Sequence, residues 1–261
     1  MLKRMYTTRL QAGLGLVEET QLLLELWSPG MTAPELNRIA LQSGRFPSVS
    51  ARRLHNIVTE CFAPRYLTDG GVPAICLQHL EKNLTRPELY QFFHLFTVRA
   101  NAVLADFVRE VYWQRYAAGY SELSSKEARS FLERAIDDGK TEKRWAASTV
   151  RRVAGYLTGC CADYGLLEGG ARTIRRILPL RIAASLSTYL AYDLHFQGFG
   201  DNALLCHPDW GLYGLERGDV LEEMKRLSLR GYIIVQAAGD VVDISWRYAD
   251  RETLYDALIQ R

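Results

Sequence analysis

Apolar positions recur with a helical period over most of the chain. In residues 17–27, Leu22, Leu23, Leu26 and Trp27 form one stripe, and Ser28-Pro29-Gly30 stops it. Thr32, Pro34 and Glu35 then spell an N-cap, a first-turn proline and a capping box, for a helix that ends at Ser43-Gly44. The link Arg45-Phe46-Pro47-Ser48-Val49 leads into a helix capped by Ser48 or Ser50 and closed by Ala63-Pro64. With Leu54 set inward at near 100° per residue, Ile57, Val58, Cys61 and Phe62 cluster around it, while Arg52 and Asn56 point away. A guanidinium and an amide suit phosphates and base edges. This is a helix-turn-helix pattern without a wing. Residues 73–82 and 86–116 predict two further helices, the second carrying Phe92, Phe93, Leu95, Phe96, Val103, Leu104, Phe107, Val111 and Trp113. Such a stripe reads as core, since a base-stacking platform normally sits on a sheet.

After the break at Ala117-Ala118-Gly119-Tyr120 the pattern becomes helix, turn, helix and basic ribbon, over residues 124–181. A first helix, 125–136, stops at Asp137-Asp138-Gly139, and Lys140-Thr141-Glu142-Lys143-Arg144 links it to a second, from Ser148 to about Tyr164. On the second helix Val150, Val153, Ala154, Leu157 and Cys161 share the inward face. Ser148 and Arg152 point out, flanked by Thr149 and Arg151. Gly165-Leu166-Leu167-Glu168-Gly169-Gly170 then opens a ribbon bearing Arg172, Arg175, Arg176 and Arg181. That order is the layout of a winged helix, which sets one helix in a major groove and a wing on the adjoining backbone.

From about Gly198 the character shifts again. Residues 215–230 predict a helix with Val220, Leu221, Met224 and Leu227 inward, capped by Gly231. The β-branched runs 232–236 and 241–246, joined by Ala237-Ala238-Gly239-Asp240, predict a hairpin. That hairpin is apolar and acidic, so it suits packing or protein contact better than DNA. The expected class is mainly α: helix-turn-helix and winged-helix-like modules around a helical core, with small β-hairpins. The expected units are 1–70, 71–197 (containing the basic element 124–181) and 198–261.

Composition adds limits. A chain of 261 residues with 48% hydrophobic and 24% charged residues is an ordinary globular protein with room for a real core. Net charge is only +2, but from Lys140 to Arg181 nine basic residues face three acidic ones. A stripe of this kind favours phosphate through counterion release. The five cysteines, Cys61, Cys76, Cys160, Cys161 and Cys206, show no repeated spacing, and Met1-Leu2-Lys3-Arg4-Met5-Tyr6 is too short and polar for a leader. The most apolar stretch, 182–194, is interrupted by Ser185, Ser187, Thr188 and Asp193 and reads as a buried helix, not a membrane span. These features predict a reduced, cytoplasmic protein with no membrane partner.

Catalytic signatures are weak. Pro208-Asp209 and Glu223-Met224-Lys225 imitate the Pro-Asp…Glu-x-Lys pattern of metal-dependent restriction enzymes, but that site needs a strand where this segment predicts a helix. Cys206-His207 has no second pair at zinc spacing, and Gly13-Leu14-Gly15 lacks the rest of a phosphate loop. His55, His79, His94 and His195 are scattered. The expectation is no enzyme, no metal and no cofactor.

A family resemblance sharpens the picture. Tyr6-Thr7-Thr8-Arg9-Leu10, Gly13, Leu16-Val17-Glu18-Glu19-Thr20 and Leu24-Glu25-Leu26-Trp27-Ser28-Pro29-Gly30-Met31 resemble the start of the BrxA family of accessory proteins from BREX phage-defence systems. The resemblance continues through Asn37, Arg52-Arg53-Leu54-His55-Asn56 and Phe62-Ala63-Pro64-Arg65, and on into residues 149–181. The family has been labelled as an inner-membrane protein, against which the missing span argues. It has also been likened to an RNA-binding transcription antitermination factor with an all-helical fold. The resemblance implies a non-enzymatic, double-stranded-DNA-binding part of a complex that methylates host DNA and blocks phage replication. The residues expected to touch duplex are Arg45, Ser48, Arg52, Arg53 and Asn56 in the first module. In the second they are Lys143, Arg144, Ser148, Thr149, Arg151, Arg152, Arg172, Arg175 and Arg176. Two rival roles fit the same helices: a protein scaffold docking other BREX subunits such as the methyltransferase, and an RNA-binding module.

Overall fold

A computed structural model describes residues 5–8, 16–170, 172–239 and 241–260. Arg9, Leu10 and the Gly13-Leu14-Gly15 fragment fall outside them, as do Met1, Leu2, Lys3, Arg4 and Asp240 of the hairpin turn. Twelve helices in chain order are found among the described residues. They are α1 (Val17–Leu26), α2 (Ala33–Gln42), α3 (51–66), α4 (Val72–Leu80), α5 (Arg86–Ala100), α6 (102–117), α7 (Ser125–Asp137), α8 (Ala147–Asp163), α9 (Ala184–Phe196), α10 (Asp201–Leu205), α11 (Arg217–Leu229) and α12 (Arg251–Ile259). Four strands make two antiparallel pairs: β1 (Glu122–Ser124) with β2 (Ile174–Arg176), and β3 (Ile233–Ala238) with β4 (Val241–Trp246). The fold is thus mainly helical with small β pairs, as the periodicity predicts.

Two helices form the centre because they have no polar face to present. Residues 91–98 of α5 and 185–194 of α9 are buried on every side. Phe92 and Phe96 meet Tyr189 with ring centroids 5.4 and 5.8 Å apart. His94 apart, the buried Gln, Ser, Thr and Asp side chains they carry inward are paired, as burial demands. Gln91 bonds Arg181 and Ala183 backbone at 2.9 and 2.8 Å, and Ser187 donates to Glu223 at 2.8 Å. The buried residues form one contiguous cluster drawn from all three predicted units.

The cap expected at Thr32–Glu35 is present, a second, unpredicted capping box forms at Ser124–Glu127, and Ser50, not Ser48, caps α3 by accepting from Arg53 N at 3.3 Å. Two predicted boundaries are corrected. The stretch 86–116 is not one helix. Asn101 leaves helical geometry at φ −132°, ψ 93°, and its side-chain amide replaces the lost backbone bond by donating to Thr97 O at 2.8 Å. Nor does Ala63-Pro64 end α3. The helix widens over Ile57–Phe62, so that Ala63 N bonds Val58 O, and it continues through Tyr66. Widening immediately ahead of Pro64 accommodates a residue that has no N–H and whose ring crowds the carbonyl four positions back.

The C-terminal hairpin forms as predicted, and its second strand alternates between buried and exposed positions. Val242 and Ile244 are buried, Asp243 and Ser245 exposed, and Ile233 lies opposite Trp246. Ile244 N donates to Asp201 on α10 at 2.8 Å, which closes that edge of the pair. Helix α12 packs back on α4, where Tyr255 meets His79 at 5.4 Å.

Candidate nucleic-acid interface

Helix α7 starts at a capping box and ends at Gly139, whose φ of +66° lets Lys140 N reach back to Ala135 O at 2.8 Å. The chain then crosses residues 140–146 and enters α8. Val150, Val153, Ala154, Leu157, Cys160 and Cys161 are buried on α8, and Ser148, Arg151, Arg152 and Gly155 are exposed. The outward face is therefore the one the sequence predicts, with Thr149 half-buried at its edge. Its N-cap is Ala146, which offers no side-chain acceptor, so the first N–H groups of α8 are uncapped by side chains beside Lys143 and Arg144.

The ribbon after α8 folds back on itself as predicted, with Glu168 N donating to Arg176 O and Leu178 N to Leu166 O, both at 2.9 Å, and it also joins a strand from before α7. β2 pairs with β1, the strand just before α7, with Glu122 opposite Arg176 and Ser124 opposite Ile174. An isolated bridge joins Leu167 to Ile177 on the other side. Sequence reasoning missed β1, because three residues are too few to show a period. This pairing divides the arginines. Arg176 is exposed, but Arg175 turns inward beside Cys161 and its Nη1 donates to Glu168 O at 2.9 Å. Arg172 ion-pairs with Glu168 at 2.9 Å in the open, where such a pair is worth little and can be exchanged.

In the first module Arg52 and Arg53 are exposed on α3, Ser48 lies exposed in the preceding turn, and Asn56 is half-buried. Arg45 pairs with Glu25 at 2.5 Å, and in the second module Arg144 pairs with Asp137 at 3.2 Å. Helices α3 and α8 meet through their later turns: buried Arg65 lies beside Cys61, Tyr66, Cys160 and Tyr164. Burial raises the thiols of Cys160, to about 12, and of Cys161, so both behave as small apolar side chains.

Two clefts border this region. One, about 420 Å³, runs between Thr7, Thr8, Lys143, Arg144, Trp145 and Arg152. The other, about 870 Å³, has a floor of ion pairs: Arg99 bridges Asp193 at 2.7 Å and Asp209 at 2.8 Å, and Arg251 reaches Asp193 at 3.1 Å. Nothing local in the chain hints at this network, whose bonded pairs lie up to 110 residues apart. It fixes the fate of the nuclease-like residues. Asp209 is held by Arg99 and faces Arg109 at 3.7 Å, whereas Glu223 lies on a helix and bonds Ser187 and Arg226. Among the described residues, no group of three or more His, Cys, Asp or Glu is placed to hold a metal ion, and no helix is long and apolar enough to cross a membrane.

A family model described as BrxA matches residues 4–193. The chain belongs to the BrxA family. Membership gives this BrxA-family chain a BREX-associated role in phage defence. The match spans α1 to α8 and most of α9, and it stops before the hairpin unit. No curated protein matches. A solved structure described as an uncharacterized protein from Magnetospirillum magneticum is similar at 15% identity and a TM-score of 0.53, over 73% of this chain and 94% of that one. At that identity the likeness speaks for the fold alone.

Proposed function

We propose that this BrxA-family protein is a non-enzymatic, cytoplasmic, double-stranded-DNA-binding component of its defence system. It contacts duplex mainly through phosphate, and it works alongside other BREX subunits, the methyltransferase among them. The observation that carries the reading is the order β1–α7–α8–β2. We read a strand, two helices and a returning strand paired to the first as a winged-helix layout. Its second helix turns Ser148, Arg151 and Arg152 outward on turns that begin at an uncapped end. Helix N-terminal N–H groups and exposed guanidiniums are the usual phosphate partners in such modules. Arg175 drops out of the expected contact set and Arg176 stays in it.

The test is a salt titration of duplex binding by fluorescence anisotropy. Each lost phosphate contact lowers the slope of log affinity against log salt by about 0.9. The triple change Arg151→Ala, Arg152→Ala and Arg176→Ala is expected to flatten that slope by about two to three. Arg52→Ala with Asn56→Ala should weaken binding without lowering the melting temperature. A folded triple variant with wild-type affinity and slope would sink the reading. The scaffold role is favoured by one separate feature: Leu229, Ile234 and Val241 are 90%, 61% and 66% exposed in the unit beyond the family match.

A further inference from the structure

The N-terminal segment 5–8 is tied to the α7–α8 link. Tyr6 is 3% exposed. Its N–H donates to Lys140 O at 2.7 Å, it forms a parallel bridge with Thr141, and its hydroxyl donates to Asp106 at 2.6 Å. Lys140 Nζ approaches the same hydroxyl at 3.3 Å. These bonds hold a stretch from the start of the chain beside the turn of a helix-turn-helix more than 130 residues later. The buried ring is the fixed point, so Thr7 and Thr8 follow it into the lining of the 420 Å³ cleft. The same lining carries Lys143, Arg144, Trp145 and Arg152. Of these three cations Arg144 is paired with Asp137, and the lining itself carries one carboxylate, Glu142. Thr7 is exposed, Thr8 and Trp145 are half-buried, and the volume is many times the ~30 Å³ of a liquid water. A cationic, hydroxyl-lined trough with an indole at its side suits a phosphodiester.

We infer that the Tyr6-pinned segment is part of the duplex-contacting surface, and that the cleft it forms with Lys143, Trp145 and Arg152 seats a backbone phosphate of the duplex that α8 faces. The inference rests on the duplex-binding reading. Tyr6 is a positioning residue, Thr7 and Thr8 supply hydroxyl donors, and Lys143 and Arg152 supply the charge. The segment thereby couples the register of the duplex to the link between α7 and α8.

Charge reversal at Thr7 tests it in both directions, because an exposed threonine outside any helix tolerates substitution. On a 20-base-pair duplex, Thr7→Glu is expected to weaken binding at least tenfold, and Thr7→Lys to steepen the salt slope by about 0.9, with melting temperatures unchanged. Duplex should also alter Trp145 emission, a change present in the wild type and missing in Trp145→Phe. If both Thr7 variants bind as wild type while Arg151→Ala with Arg152→Ala weakens binding, the segment lies off the interface although the duplex reading stands. If neither set changes binding, the duplex reading itself fails. Trp145 emission indifferent to saturating duplex also overturns the inference.

Discussion

The most quantitative consequence of the fold concerns His94. Its ring is 1% exposed in the all-buried part of α5, between Tyr213, edge-on at 5.6 Å, and Tyr164 at 5.8 Å. Neither ring nitrogen has a hydrogen-bond partner among the described residues. Burial, and then the charge of Arg109, pushes its pKa down from 6.5 to about 3. Above pH 6.5 the imidazole is neutral in both the folded and the unfolded chain and makes no pH-dependent difference. Below it the unfolded chain takes up a proton that the folded one refuses, so stability falls as pH drops toward 3. Each unit is worth about 1.4 kcal/mol, hence roughly 2–3 kcal/mol between pH 6.5 and 4.5. Other groups titrate over the same range, so the informative quantity is a difference between variants. Urea denaturation at pH 7.5 and 4.5, applied to the wild type and to His94→Leu, isolates it. The variant should lose less stability on acidification, by that amount. Equal acid sensitivity in the two proteins would refute the assignment of a proton-refusing core histidine.

Two further outcomes follow from particular contacts. Asp193→Asn removes the carboxylate shared by Arg99 and Arg251, which takes the ion pair from Arg251 and leaves Arg99 with Asp209 alone, in a site where Asp193 is only 4% exposed; a loss of about 3 kcal/mol in denaturant titrations is expected. Gly155 is exposed in mid-α8 and a Cβ there meets nothing within 4 Å, so Gly155→Ala should raise stability by about 0.5–1 kcal/mol in calorimetry.

The outward faces were legible in sequence because helical phase is a local property. Placing Leu54 or Val150 inward fixes where Arg52 and Arg152 point, and both are exposed as that phase requires. The Thr32–Glu35 cap was legible for the same reason, since the two residues satisfy each other within one turn. The Asn101 break escaped because asparagine is only a weak helix breaker and the apolar period runs through it. Arg175 and Arg176 are neighbours of the same type, and no local rule says which faces solvent. Their assignment came from β1, 50 residues earlier, through the register that sets Arg176 opposite Glu122.

Sequence by itself determined the helical class, the basic second helix and its ribbon, and a family likeness that the match over 190 residues bears out. These are readable because propensity, phase and charge act over a few residues. Only the tertiary structure decided that β1 closes the ribbon, that Arg99, Asp193, Asp209 and Arg251 share buried charge, and that Tyr6 pins the chain's start beside α8. Each of these joins residues separated by 50 to more than 130 positions, and nothing along the chain encodes which distant carboxylate a buried cation will find. The reason is energetic. A buried charge or strand edge is costly until paired, and the partner is supplied by whichever segment the packing of α5 and α9 brings within reach.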